Sequence, residues 1–203
     1  MLRIGLTGGI ASGKSTAAQI LHDLGAATFD ADRIVAELYA PGAEGSRAVA
    51  ALFGSGVLAA DGSVSKPALA RLAFSDPAAR RRLEAAIHPL VVAEIRRRFA
   101  EAQGRGAAVA VAEASQILEG DYAGEFDRIV VVTAPPEARR ARAAARGLSS
   151  EEMDSRSAAQ IGPDQARARA DDLIENAGTP GELKEEVGAL YVRWLKAPRR
   201  SAP

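Results

Sequence analysis

Gly8-Gly9-Ile10-Ala11-Ser12-Gly13-Lys14-Ser15 matches the pattern G-x-x-x-x-G-K-[ST], and it directly follows Leu2-Arg3-Ile4-Gly5-Leu6-Thr7. The residue types suit one task. Glycines let the backbone curl closely around an anion, so that successive N–H groups point inward as a nest. A helix starting at Lys14 aims its positive dipole end at the same place. In a loop of this kind the lysine reaches the β- and γ-phosphates of ATP, and the Ser15 hydroxyl can ligate Mg²⁺. A glycine-rich turn can match the pattern by chance. Here a buried strand precedes it and an amphipathic helix follows, which is the context a phosphate-binding loop requires.

Outward from the loop, Leu2 to Thr7 is apolar with no acidic residue, as expected of a strand covered on both faces. Lys14 to Leu24 reads as a helix, with Ala17, Leu21 and Leu24 on one stripe and Gly25 as its stop. Ala26 to Phe29 is a second strand candidate ending at Asp30-Ala31-Asp32. From Pro41-Gly42 to about residue 104 the pattern changes to short helices without a strand. Ser46 is expected to cap a helix bearing Val49, Leu52 and Phe53, Ser65 one bearing Leu69 and Leu72, and Ser75-Asp76-Pro77 one bearing Leu83 and Ile87. His88-Pro89 is expected to interrupt that last helix, since the residue before proline avoids the α region. A longer helix then carries Val91, Ile95 and Phe99.

After Gly104-Arg105-Gly106 the strand–helix alternation returns. Strands are expected at Ala107 to Ala112, at Arg128 to Thr133 and at Leu173-Ile174. Pro135-Pro136 opens an arginine-rich helix stopping near Gly147, Ser149 to Glu152 has the form of a capping box, and Thr179-Pro180 caps a final helix. Five buried strands alternating with helices predict a three-layer α/β/α sandwich around a parallel sheet, interrupted by a helical insert.

The 203 residues hold 26 basic and 26 acidic side chains, so net charge is zero and no nucleic-acid-binding face is expected. Cysteine is absent, which excludes disulfides and thiolate metal sites. The apolar run at the N-terminus is too short for a signal peptide and no stretch approaches a membrane span, so a cytoplasmic location is expected. Lysine is confined to Lys14, Lys66, Lys184 and Lys196, whereas arginine is abundant. Arginine counts therefore say little.

A loop that binds phosphates serves kinases, GTPase switches and ATPase motors. A GTPase would need an Asn-Lys-x-Asp motif, and none of the four lysines sits in one. Asp121-Tyr122-Ala123-Gly124 fits D-x-x-G but lies well past its strand and reads as a loop. The length and the lack of an ATPase helical lid domain weigh against a motor. A small-molecule kinase is favoured. Asp30 and Asp32 follow the second strand, and in a parallel sheet strand ends gather beside the phosphate loop. A carboxylate there can orient an acceptor hydroxyl or take its proton; equally, one of the two can cap a helix starting near Arg33. The expectation is a structural or ligating Asp30 and a catalytic Asp32.

Leu6-Thr7-Gly8-Gly9-Ile10 through Ser15-Thr16, followed by Asp30-Ala31-Asp32, resembles the signature of the dephospho-CoA kinases. The similarity continues through Pro41-Gly42, Phe53-Gly54, Asp61-Gly62, Leu83 with Ile87-His88-Pro89, and Ile174-Glu175-Asn176, across nearly the whole chain. The resemblance implies a P-loop NTPase core (1–40, 105–138 and 169–197), a helical CoA subdomain (41–104) and a lid (139–168). It implies that Mg²⁺-ATP and dephospho-CoA are the ligands, and that the ribose 3′-hydroxyl is phosphorylated in the last step of coenzyme A synthesis.

Carried over by position, ATP falls on Gly8, Gly9, Ala11, Ser12, Gly13, Lys14, Ser15 and Thr16, with Asn176 near the adenine or forming a turn. The catalytic aspartate falls on Asp32, the lid arginines on Arg142 and Arg146, and the acceptor side on Thr7, Asp30, Asp32 and His88. Like Asp32, Lys14 and the two arginines are expected to be catalytic, Ser15 to meet the metal, and His88 to play no acid–base part. Glu113-Ala114-Ser115-Gln116 departs from the family's Asp-x-Pro-Leu, although Glu113 can still hold Mg²⁺ through water. That departure keeps two rivals open: a kinase for another acceptor, such as a nucleotide or shikimate, and a silent nucleotide-binding regulator. A monomer or weak homo-oligomer is expected, with no nucleic acid or membrane partner.

Overall fold

The computed structural model describes residues 1–115, 117–118, 123–158 and 160–196. They divide into two compact units, Met1–Asp30 with Phe99 onward, and Ala31–Arg98.

In the first unit five strands form one sheet: β1 (Leu2–Gly8), β2 (Ala27–Asp30), β3 (Val109–Glu113), β4 (Arg128–Thr133) and β5 (Asp172–Glu175). Every pairing is parallel, in the order β2-β3-β1-β4-β5. The five predicted strands are all present. Central strands of such a sheet are covered on both faces, and Ile4, Leu6, Val111, Val130 and Val132 are accordingly buried. On one face Ile4, Leu6, Val109, Val111, Val130 and Val132 pack with α1 (Lys14–Asp23) and with the last helix (Pro180–Lys196) through Ala17, Leu21, Leu183, Val187 and Trp194. On the other face aromatic rings close the layer. Phe99 meets Phe29 edge-on at 5.1 Å and Phe126 at 6.1 Å, and a Cβ on Gly5 would come within 2.8 Å of the Phe126 ring.

Asp172 ties the edge strand to the last helix. Its carboxylate accepts from Arg128 Nη1 at 2.8 Å, Arg193 Nη2 at 2.6 Å and Trp194 Nε1 at 3.0 Å. The capping box at Ser149 forms as expected, and a second one caps the last helix. Glu152 N donates to Ser149 Oγ (3.1 Å) and Ser149 N to Glu152 Oε2 (2.9 Å), and Thr179 and Glu182 repeat the exchange at 3.3 and 2.6 Å.

The second unit contains α2 (Ala31–Leu38), α3 (Glu44–Phe53), α4 (Lys66–Ser75) and most of α5 (Pro77–Gly104). Ile34 and Val49 are fully buried. Between α3 and α4 the chain makes one antiparallel bridge, Leu58 with Val64, around a turn in which Asp61 accepts from Ser63 N and Ser63 Oγ.

Two expectations are corrected. Pro89 does not interrupt its helix: α5 runs unbroken through 28 residues. One proline removes one N–H and crowds the preceding turn, a cost of about 3 kcal/mol. Ile87, Val91 and Ile95, buried on both sides of it, hold the helix across the fault. Ser46 is not a cap. α3 starts earlier, at Glu44, and Ser46 Oγ turns back to donate to Ala43 O at 2.9 Å.

Candidate functional site

The phosphate loop joins β1 to α1 in the first unit. Gly8 lies opposite Val132 in the β1–β4 register, and a Cβ there would run into the Val132 carbonyl. Gly13 has φ of +101°, and its missing Cβ leaves room for Asn176 Nδ2. Ala11, at φ +57°, is the one non-glycine residue in the left-handed region among the described residues. A conformation of that kind costs on the order of 1 kcal/mol and is characteristic of sites where the fold enforces it. The loop closes with Ser12 N donating to Gly9 O at 3.1 Å, and Lys14 Nζ lies 2.9 Å from Gly8 O.

Side chains from three later segments hold the loop from outside. Asn176, buried just beyond β5, donates from Nδ2 to Ser12 O at 2.8 Å. Arg142, on α6 (Pro136–Ala145), donates to Ser12 O at 3.4 Å and to Asn176 O and Oδ1 at 3.2 Å each. Arg139, one turn earlier on α6, donates from Nε to Ile10 O at 2.8 Å. The other side of Ile10 is held by Gln160, whose Oε1 accepts from Ile10 N at 3.1 Å while its Nε2 donates to Ser115 O at 3.2 Å. Burial lowers the pKa of the Arg139 guanidinium below its ordinary value. A cavity of about 140 Å³ opens here, lined in part by Thr7, Gly9, Ser12, Ser115, Arg139 and Gln160. Within its wall, Ser12 Oγ is buried without a hydrogen-bond partner among the described residues.

A metal fits the other flank. Ser15 Oγ donates to Glu113 Oε1 at 2.8 Å, and Glu113 stands opposite Asp30 in the β2–β3 register. These are hard oxygen donors at the C-terminal edge of a parallel sheet, the ligand type Mg²⁺ selects. Among the described residues no group of three or more His, Cys, Asp or Glu is assembled to hold an ion alone. A Mg²⁺ ion at Ser15 would accordingly complete its shell with phosphate oxygens and water, as this ion usually does.

The remaining predicted residues fall as follows. Asp32 lies in the first turn of α2, which starts at Ala31 rather than near Arg33, and so it belongs to the second unit, as does half-buried His88 inside α5. Thr7 is buried and Thr16 exposed on α1. Arg146 is exposed and stands at the C-cap of α6, just past the helix that carries Arg142. Gln116, Asp121, Tyr122 and the tail from 197 lie outside the described residues. Sequence reasoning missed Arg139 and Gln160. The first is hidden in a run of arginines on one helix, and the second has no motif around it to mark it.

The chain matches the family model described as dephospho-CoA kinase over residues 2–182. It is 43% identical to a dephospho-CoA kinase of Thiobacillus denitrificans, covering all of both chains, and 40% identical to one of Geobacter sulfurreducens, covering 94% of this chain and 97% of that protein. A crystal structure from Thermus thermophilus superposes with a TM-score of 0.81 at 34% identity, covering 97% of this chain and 98% of the other.

Proposed function

This chain belongs to the dephospho-CoA kinase family, and we propose how its own residues carry the phosphoryl group from ATP to dephospho-CoA. The family is one of kinases that transfer phosphate to dephospho-CoA, forming coenzyme A in the last step of its synthesis. Family membership decides against both rival readings, the other acceptor and the silent regulator. The roles below rest above all on one observation, the loop in which Lys14 meets Gly8 O while Ser15 meets Glu113.

The triphosphate lies along Gly8 to Thr16, where the nest of N–H groups and the N-terminus of α1 favour its charge. Lys14 exchanges the Gly8 carbonyl for β- and γ-phosphate oxygens. Ser15, hydrogen-bonded to Glu113, would hold Mg²⁺, which when bound would supply charge neutralisation for the phosphates. Asn176 and Arg142 fix the Ser12 carbonyl, and with it the loop's curvature. Asp32 accepts the proton of the 3′-hydroxyl, or orients that hydroxyl for in-line attack on the γ-phosphorus, and ADP leaves. Asp30, Thr7 and His88 serve the acceptor side. Arg146 sits in the segment 139–168 that acts as a lid, where a cation can offset charge on the transferring group and closure excludes water. The helices of 41–104 receive the CoA moiety. No helix among the described residues is long and apolar enough to cross a membrane; a cytoplasmic monomer or weak homo-oligomer suits this reading.

The test is acceptor choice. With Mg²⁺-ATP, ADP release is expected with dephospho-CoA and not with a nucleoside monophosphate or shikimate, and the product should carry its new phosphate on the ribose 3′-oxygen. Turnover on one of the other acceptors alone would contradict the substrate assignment and leave the loop chemistry standing.

A further inference from the structure

We propose that Arg139 is a catalytic residue of this transfer, its Nη atoms meeting the γ-phosphate at the mouth of the phosphate loop. The inference rests on the kinase reading above and adds a residue to it.

The guanidinium lies over Gly9: a Cβ there would come within 2.8 Å of Arg139 Nη2 and 3.2 Å of Nη1. One residue earlier, the Gly8 carbonyl holds the Lys14 ammonium at 2.9 Å. Two cations therefore stand at successive residues of the loop's opening, and the lysine of such a loop reaches the β- and γ-phosphates. Glycine at position 9 makes room for the arginine.

The charge of Arg139 is also uncompensated among the described residues. Arg139 is half-buried, and its side chain donates to one neutral group, the Ile10 carbonyl at 2.8 Å. No carboxylate pairs with it among the described residues. Desolvating a guanidinium without an anion is unfavourable, and a substrate phosphate that enters beside it removes the penalty. The cavity it borders also holds the buried, unpartnered Ser12 hydroxyl. Both features favour an oxygen-rich anion.

The fork is held ready. Nε is fixed on Ile10 O, and Ile10 is fixed in turn by Gln160, which leaves the two Nη atoms for a planar, bidentate contact. The neighbouring arginines are placed differently. Arg140 pairs with Asp154 at 3.3 Å, Arg142 is engaged by Ser12 and Asn176, and Arg146 is exposed just past the helix.

A brace of the loop and a γ-phosphate ligand make different demands on nucleotides. Calorimetric titration of the full chain with Mg²⁺-ADP and with a non-hydrolysable Mg²⁺-ATP analogue separates them, for wild type, Arg139→Gln and Arg139→Lys. Loss of a charge-assisted hydrogen bond predicts that Arg139→Gln weakens the ATP analogue by about tenfold or more and leaves ADP within about twofold. Arg139→Lys, which keeps the charge, should recover part of the ATP-analogue affinity, and turnover should follow the same order. Should the glutamine variant lose its cooperative thermal transition, the lysine variant carries the test, again by a larger loss for the ATP analogue than for ADP. Equal losses on both nucleotides would make Arg139 a loop brace, and no loss on either would remove it from the site. A wild type that bound neither nucleotide would overturn the kinase reading itself.

Discussion

Gly13 and Asn176 are 163 positions apart, yet each explains the other. The amide of Asn176 reaches the Ser12 carbonyl only because residue 13 has no Cβ, and residue 13 can hold φ +101° for the same reason. Gly13→Ala should therefore fail on two counts, a strained backbone and a steric collision. Denaturant unfolding is expected to show a loss above about 1 kcal/mol. Mg²⁺-ADP titration should show nucleotide binding abolished. Near-normal binding in that variant would mean the Asn176–Ser12 bond does not shape the loop. Gly13 was legible in the sequence because the motif demands it. The partner that explains it was not, since only the fold brings the exit of β5 against a loop near the N-terminus.

At the scale of elements, runs such as Ile129-Val130-Val131-Val132 are read correctly because a strand covered on both faces tolerates almost nothing polar. The Ser149–Glu152 capping box is equally legible, being a reciprocal pair of bonds between residues three apart. The helical insert is less so, because Pro89 follows a local rule that burial overrides. Within that same helix Glu94 accepts from Arg97 at 2.6 and 2.7 Å and from Arg98 at 2.9 Å. The hydrogen bonds from Arg97, then those from Arg98 and the charge of both guanidinium groups, outweigh partial burial and lower its pKa from the ordinary 4.5 to about 2. A carboxylate whose folded pKa is depressed stabilises the fold fully above its unfolded value. It loses that contribution as pH falls through the folded one. The melting-temperature difference between wild type and Glu94→Gln should thus be present at neutral pH and fade as pH falls from 4.5 towards 2. A difference independent of pH would show that the arginines do not stabilise the ionised form.

For the whole molecule, the residues proposed for the chemistry fall in two parts of the chain. The phosphate loop, Glu113, Arg142 and Asn176 belong to the unit built on the sheet, and Asp32 to the helical one, which begins at Ala31 immediately after β2. Both parts were marked in the sequence by short motifs at fixed spacing. What surrounds the loop was not marked, because Arg139 and Gln160 meet it at the backbone of Ile10 and leave no pattern of their own. We propose that Asp32 serves the acceptor hydroxyl while the loop serves the nucleotide. The most direct test is the steady-state rate of coenzyme A formation from Mg²⁺-ATP and dephospho-CoA, for wild type and Asp32→Asn, alongside Mg²⁺-ADP affinity. Loss of a group that orients or deprotonates the acceptor predicts a fall in kcat of about 10² to 10⁴ with nucleotide affinity unchanged. An Asp32→Asn variant that turned over at the wild-type rate would contradict the account.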